Sequence, residues 1–242
     1  MSRLVLALQY WGGDRDAAMR NARRIADNEP AFRQDVEMLL VTRFDAPPPD
    51  PVTVDQVRKK MPVSTYRGTR RGTGWPSGCN DLWFDLMQEC VRRSFTPAWN
   101  GVNGVFTFEA DCIPITRDWI DVLKAEWDRV SAEGRLVSGA WQDDGSEVGH
   151  VNGNAIFAPG IAFKLGLIGC RPDVGWDCAI APTLEPYWHK SGLIKNLYRA
   201  TKLDEKTILR PWTPGVRPVL VHGVKDLSVE EYADRVLLKN LS

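Results

Sequence analysis

The sequence predicts an α/β fold, with a mixed, mainly parallel sheet, helices on both faces, and one domain spanning residues 1–242. Three observations predict it. The chain opens with an apolar run, an amphipathic helix and a second apolar run, which together make a βαβ unit with a right-handed crossover. Val105-Phe106-Thr107-Phe108 is apolar or β-branched at both parities, as in a strand buried on both faces of a parallel sheet. That strand runs into Glu109-Ala110-Asp111, a proline turn and another helix. Two carboxylates are thereby placed at the carboxyl end of a strand, where open α/β sheets bind ligands.

Taken in order, residues 4–8 form a short apolar run and the expected first, central strand. A Gly12-Gly13 turn leads into a helix over 15–28 with Ala18, Ala22, Ile25 and Ala26 on one face, stopped by Pro30. The two glycines match neither GxGxxG nor a P-loop, so a dinucleotide or Walker-type ATPase site is unsupported. Residues 37–42 read as the second strand, ending in Arg43-Phe44-Asp45. The proline run 46–51 is a stiff connector. A short helix over 54–60 and a third strand over 62–66 follow.

Residues 67–80 form a glycine-rich, cationic and aromatic loop that reads as functional or as solvated surface. A helix over 80–93 turns Trp83, Leu86, Met87, Cys90 and Val91 inward. After the acidic triplet, Thr116 is the expected N-cap of a helix carrying Trp119, Ile120, Leu123, Trp127 and Val130, closed by Gly134. Strands are expected over 136–141 and up to residue 157, separated by a polar, acidic loop at 142–149. Gly175-Trp176-Asp177 reads as a loop entering a helix. Short strands are expected at 193–201, 207–212 and 218–221, the last ending at His222. Ser228 and Glu231 read as the capping box of a C-terminal helix.

Composition narrows the classes. Hydrophobic residues make up 43% of the chain, enough for a sizeable core and too many for wholesale disorder. Basic and acidic residues balance at 31 each, so net charge gives no argument for a nucleic acid or membrane partner. Ten tryptophans supply core and aromatic faces suited to a planar or sugar ligand. Five scattered cysteines contain no CxxC pair, which argues against structural zinc and for free thiols in a reducing compartment. The opening apolar run is too short for a signal peptide or a span, so the expectation is a soluble, cytoplasmic protein with no membrane partner.

Polar groups then fall at strand ends and helix starts: Tyr10, Asp45, Glu109, Asp111, Asp177 and His222. Acid pairs at such a place hold divalent cations, because hard cations take carboxylate oxygens. The order of these elements resembles the GT-A glycosyltransferases across most of the chain. The βαβ opening, the 74–80 loop before a helix, the DxD-like Glu109-Ala110-Asp111, the Trp176-Asp177 step and the late His222-Gly223 with Lys225 carry the likeness. The first acid is Glu where the family pattern has Asp.

The resemblance implies a metal-dependent transferase using Mn2+ or Mg2+ and a nucleotide-sugar donor such as a UDP-sugar. It makes Asp111 a metal ligand and Glu109 a contact of the ribose or of metal-bound water. His222 is a candidate third ligand, and Lys225 a candidate counter-charge for the leaving diphosphate. Their plain alternatives are a strand-end cap and a solvated lysine. The resemblance makes Asp177 the base of an inverting reaction, its alternative being an N-cap aspartate. Tyr10 and Asp45 are expected to stack on and hydrogen-bond the nucleotide base, and Asn152 and Asn154 to bind donor or acceptor hydroxyls.

The acceptor is open. Arg67, Arg70 and Arg71 lie in the densest basic region, interleaved with Tyr66 and Trp75, and such side chains hold phosphates and stack on bases. The chain is also similar to phage transferases that glycosylate hydroxymethylated pyrimidines, which implies a duplex DNA partner, a flipped base and a host cytoplasm. The rivals are a GT-A enzyme acting on a saccharide or protein, a nucleotidyltransferase, and a non-catalytic nucleotide- or carbohydrate-binding module. The nucleotidyltransferase lacks its glycine-rich, lysine-containing opening loop here.

Overall fold

The computed structural model describes residues 2–142 and 149–237. β1 (Arg3–Tyr10), α1 (Arg15–Asn28) and β2 (Val36–Thr42) form the expected opening unit. α2 (Pro51–Arg58), β3 (Val63–Arg67), α3 (Ser77–Ser94), β4 (Val102–Glu109), β5 (Ile113–Pro114) and α4 (Trp119–Ala132) follow. β6 (Val137–Gln142) and β7 (His150–Phe157) precede the short helices α5 (Ile161–Lys164), α6 (Trp176–Ala179) and α7 (Ala181–Leu184). β8 (Trp188–Lys190), β9 (Ile194–Ala200), α8 (Glu205–Leu209), β10 (Leu220–Val224) and α9 (Ser228–Leu237) complete the chain.

The main sheet has seven strands in the order β3-β2-β1-β4-β7-β6-β8. It is parallel from β3 to β4, β7 runs antiparallel to β4 and β6, and β8 is parallel to β6. Every β1 residue from Leu4 to Tyr10 is buried, as expected of a central strand whose residues 4–8 are all apolar. On one face α1 and α4 pack Ile25, Trp119 and Trp127 against Leu4, Leu6, Phe106 and Phe108. On the other, α3 and α6 pack Trp83, Met87 and Trp176 against Val5, Ala7, Val105 and Phe157. The register pairs Gln9 with Glu109, so β1 and β4 end level at one edge.

A second, three-stranded sheet, β5-β10-β9, lies outside the expected architecture. β5 follows the acidic triplet and pairs antiparallel with β10, while β9 pairs parallel with β10. α9 packs over it with Val229, Tyr232 and Leu237. α9 is also tied to α1, because the buried Arg24 donates to Asp234 at 2.6 Å and to Glu230 at 3.0 Å. The acidic triplet and the final strand therefore sit side by side.

Several local expectations are corrected. Residues 207–212 contain no strand; Asp204 caps α8 by accepting the Thr207 N–H at 2.7 Å. Thr116 does not cap α4, whose N-cap is Asp118; Thr116 is buried. Ser228 and Glu231 make no capping box: the Asp226 carboxylate accepts the Ser228 N–H at 3.0 Å, and the Ser228 hydroxyl accepts the Leu203 N–H at 3.2 Å. α2 starts earlier than expected, because Asp50 caps it and Pro51 opens its first turn. Of the acidic loop expected at 142–149, residues 143–148 lie outside the described residues. Among the described residues no helix is long and apolar enough to cross a membrane.

Candidate active site

A cleft of about 640 Å³ opens at the carboxyl ends of β1 and β4. Glu109, Asp111, Trp11, Asp14 and Lys225 are among the residues that line it. The chain must leave β4 and enter β5 within a few residues, and the Cys112 N–H closes that turn on the Glu109 carbonyl at 3.1 Å. Both acids of the triplet are thereby held at the sheet edge.

β10 delivers the partners. His222 Nε2 lies 2.9 Å from a Glu109 oxygen and 3.3 Å from an Asp111 oxygen. Lys225 Nζ donates to the other Asp111 oxygen at 2.7 Å. A register shift between His222 and Val224 bends the strand here, and Gly223 takes a φ of +88°. Bulges of this kind re-aim side chains beside functional sites. Burial would raise the Asp111 carboxyl, but His222 and Lys225 outweigh it and hold it well below the usual range. Burial would lower His222, yet its hydrogen bonds to Asp111 and Glu109 win and push it up to about 9. Asp14 is pushed up to about 6, mainly by burial, against the Trp11 N–H that it accepts at 2.8 Å.

The Glu109, Asp111 and His222 ligand atoms all lie within 4.8 Å of one another. Two carboxylates and an imidazole suit Mn2+ better than Ca2+, so these residues fit a resident divalent cation. A second grouping, His150, Asp177 and Cys178, meets the same spacing. His150 is buried, and its Nε2 lies 3.6 Å from an Asp177 oxygen. Burial raises the Asp177 carboxyl above its usual range, and the charge of His150 opposes the rise. Asp177 is anchored through its neighbour: Asn80 accepts the Trp176 N–H at 2.7 Å, and Trp176 stacks on Trp83 at 3.9 Å.

Other expected site residues are placed differently. Tyr10 is only 1% exposed and its hydroxyl donates to the Pro47 carbonyl, so its ring cannot stack on a base. The next residue, Trp11, is 50% exposed and lines the cleft. The Asp45 carboxylate is gripped by Arg43 at 2.6 and 2.8 Å, and the Arg43 guanidinium lies over the Trp11 ring. Asn154 is fully buried: its Oδ1 accepts the Glu109 N–H at 2.9 Å and its Nδ2 donates to Asn152 at 2.6 Å. Asn152 in turn donates to Gln142, so both asparagines are occupied within the protein rather than facing a sugar.

The basic loop is partly committed as well. Arg67 donates to the carbonyls of Phe44 and Ala46, both at 2.9 Å. Arg70 lies 3.4 Å from Asp85 and donates to the Ile168 carbonyl. Both guanidiniums thus spend part of their donors within the protein, although Arg67 stays exposed. Arg71 is exposed and lies over Phe44. Sequence reasoning missed Trp11, Asp14, His150 and Asn196. The Trp11-Gly-Gly-Asp14 turn was the one readable signal, since a glycine turn after a central strand brings its flanking residues to the cleft.

No family model matches the chain, and no curated protein matches it. Solved structures do. The glycosyltransferase GlyE of Streptococcus pneumoniae TIGR4 matches over 99% of this chain and 63% of its own, with a TM-score of 0.55 and 9% identity. S. aureus TarS matches over 97% of this chain and 39% of its own, with a TM-score of 0.51 and 8% identity. The chain thus spans less than two thirds of either relative. These likenesses concern the fold, and the fold is the GT-A fold of glycosyltransferases.

Proposed function

We propose that the chain is a glycosyltransferase that takes a sugar from a nucleotide-sugar donor, with a divalent cation, and passes it to a hydroxyl. One observation carries this reading. In a GT-A fold, Glu109 and Asp111 at the end of β4 meet His222 and Lys225 from β10 at the edge of a cleft large enough for a nucleotide. Asp111 and His222 hold the cation, and Glu109 is its third ligand or contacts the ribose. When bound, the cation neutralises charge gathering on the leaving diphosphate. Lys225 adds a second positive charge at the same place. Trp11 offers its face to the nucleotide base, the role first expected of Tyr10. A UDP-sugar is the donor to test first.

Asp177 is the base of an inverting displacement. The acceptor oxygen bonds to the anomeric carbon as the bond to the diphosphate oxygen breaks, and Asp177 takes the hydroxyl proton. Its burial and raised carboxyl suit a group that must accept a proton near neutrality. A nucleotide-release assay over a panel of nucleotide sugars, with Mn2+ and with EDTA, tests the reading. Metal-stimulated release supports it; no release from any donor refutes it and leaves a binding module.

The acceptor is read no further than a hydroxyl. A hydroxymethylated pyrimidine in duplex DNA draws its support from the exposed Arg71 and Trp75, while Arg67 and Arg70 are partly engaged by backbone carbonyls and Asp85. Steeply salt-dependent binding to such DNA favours that acceptor, and salt-insensitive or absent binding removes it. A saccharide or protein hydroxyl then takes its place.

A further inference from the structure

A chain of amide side chains joins the two halves of the candidate metal centre. Glu109 donates its backbone N–H to Asn154 Oδ1 at 2.9 Å. Asn154 Nδ2 donates to Asn152 Oδ1 at 2.6 Å, and Asn152 Nδ2 donates to Gln142 Oε1 at 3.3 Å. Asn196 Nδ2 donates to the same Gln142 oxygen at 3.1 Å. Asn196 Oδ1 then lies 2.6 Å from His222 Nδ1. The links come from β4, β7, β6, β9 and β10, so the chain crosses from the main sheet to the second one.

Any one of these amides taken alone can be turned over, exchanging oxygen for nitrogen. The chain as a whole cannot. The Glu109 N–H is a backbone donor with no other polarity, so Asn154 must present its oxygen there. The Asn154 backbone N–H also donates to Asn152 Oδ1, at 3.0 Å, and fixes Asn152 a second time. Asn152 must then offer its nitrogen to Gln142, whose oxygen accepts from both sides. Asn196 consequently turns its nitrogen to Gln142 and its oxygen to His222. Asn154 is fully buried and Asn196 is 7% exposed, where an unpaired amide costs about 1–3 kcal/mol, so reversal is penalised at both ends of the chain.

We propose that Asn196, oriented through Gln142, Asn152 and Asn154, is a positioning residue that keeps the His222 proton on Nδ1 and its Nε2 directed at the acids as the metal-ligating nitrogen. Metal-bound histidines almost always donate their other ring N–H to such an outer partner, and its loss weakens metal binding about 10- to 100-fold. The inference rests on the reading that Glu109, Asp111 and His222 take a divalent cation. It adds that four uncharged residues, none of them a metal ligand, determine how well His222 holds it.

The test is Mn2+ affinity, measured by electron paramagnetic resonance on the whole purified chain, alongside the melting temperature of each metal-free variant. Asn196→Leu should keep the fold and weaken Mn2+ binding about 10- to 100-fold. Asn196→Asp still accepts from His222 Nδ1 and should bind Mn2+ at least as tightly as the parent. Gln142→Met removes the acceptor that orients Asn196 and should weaken binding about 10-fold. Parent-like affinity in a folded Asn196→Leu overturns the proposal. If that variant does not fold, parent-like affinity in Gln142→Met overturns it. Failure of the parent to bind Mn2+ is a different result, since it removes the metal reading itself.

Discussion

Gly223→Ala isolates the device that brings His222 to the acids. Gly223 has a φ of +88°, and an added Cβ would stand 1.6 Å from the Leu197 carbonyl oxygen and 2.8 Å from its carbon. The left-handed conformation alone costs an L-residue about 1–2 kcal/mol. Ordinary carbon–oxygen contacts lie at about 3.3 Å or more, so β9 and β10 would have to separate by well over an ångström. Displacing packed backbone adds about 1–3 kcal/mol, for a total near 2–5 kcal/mol. That is a large part of the roughly 5–15 kcal/mol that holds a domain folded. Because β9 carries Asn196 and β10 carries His222, the same displacement should weaken Mn2+ binding. Urea unfolding with the slope checked against the parent gives the first quantity, and a Mn2+ titration the second. A destabilisation below about 1 kcal/mol together with unchanged Mn2+ affinity would refute the argument that this bulge positions His222.

Three further outcomes are expected. Asp111→Asn should lower metal-stimulated nucleotide release at least about 10²-fold, the equivalent of about 3 kcal/mol of lost charge stabilisation. Asp177→Asn should lower transfer about 10²- to 10⁴-fold while donor affinity, read by calorimetry, is unchanged. The acid limb of the parent pH–rate profile, set above the ordinary carboxylate range by the burial of Asp177, should vanish with it. Asp14, pushed up to about 6, binds its proton more tightly in the folded chain than in the unfolded one, so stability falls as pH rises from about 4 to about 6. Asp14→Asn keeps the oxygen that accepts the Trp11 N–H, and its urea midpoint in EDTA should lack that part of the fall.

The elements that could be read from the sequence are those with a strong local signature. α1 runs over the residues that its apolar face and Pro30 delimit, and β4 ends at the acid that its apolar run predicts. The second sheet is invisible locally, because β5 is two residues long and exists only through its pairing with β10. The strand expected at 207–212 contains Thr207, Ile208 and Leu209, which suit a strand as well as a helix; the Asp204 cap decides. Tyr10 was expected to stack on the base because it ends β1; it does line the cleft, but it is buried, and alternation in a strand buried on both faces does not say which side chain leaves the sheet first. Trp11 is the one that emerges. Asn152 and Asn154 look like ligand groups in a sequence, since nothing local reveals that one holds the Glu109 N–H and the other holds its neighbour.

If Glu109, Asp111 and His222 seat a cation that grips a nucleotide diphosphate, the metal and the diphosphate must be found together at those residues. Crystals soaked with Mn2+ and a nucleoside diphosphate test it most directly through the anomalous signal of manganese. A single strong peak is expected within ligand distance of Asp111 and His222, with the diphosphate against it and Lys225 alongside. A diphosphate bound in the cleft with no manganese at those residues, or manganese bound elsewhere, would contradict it.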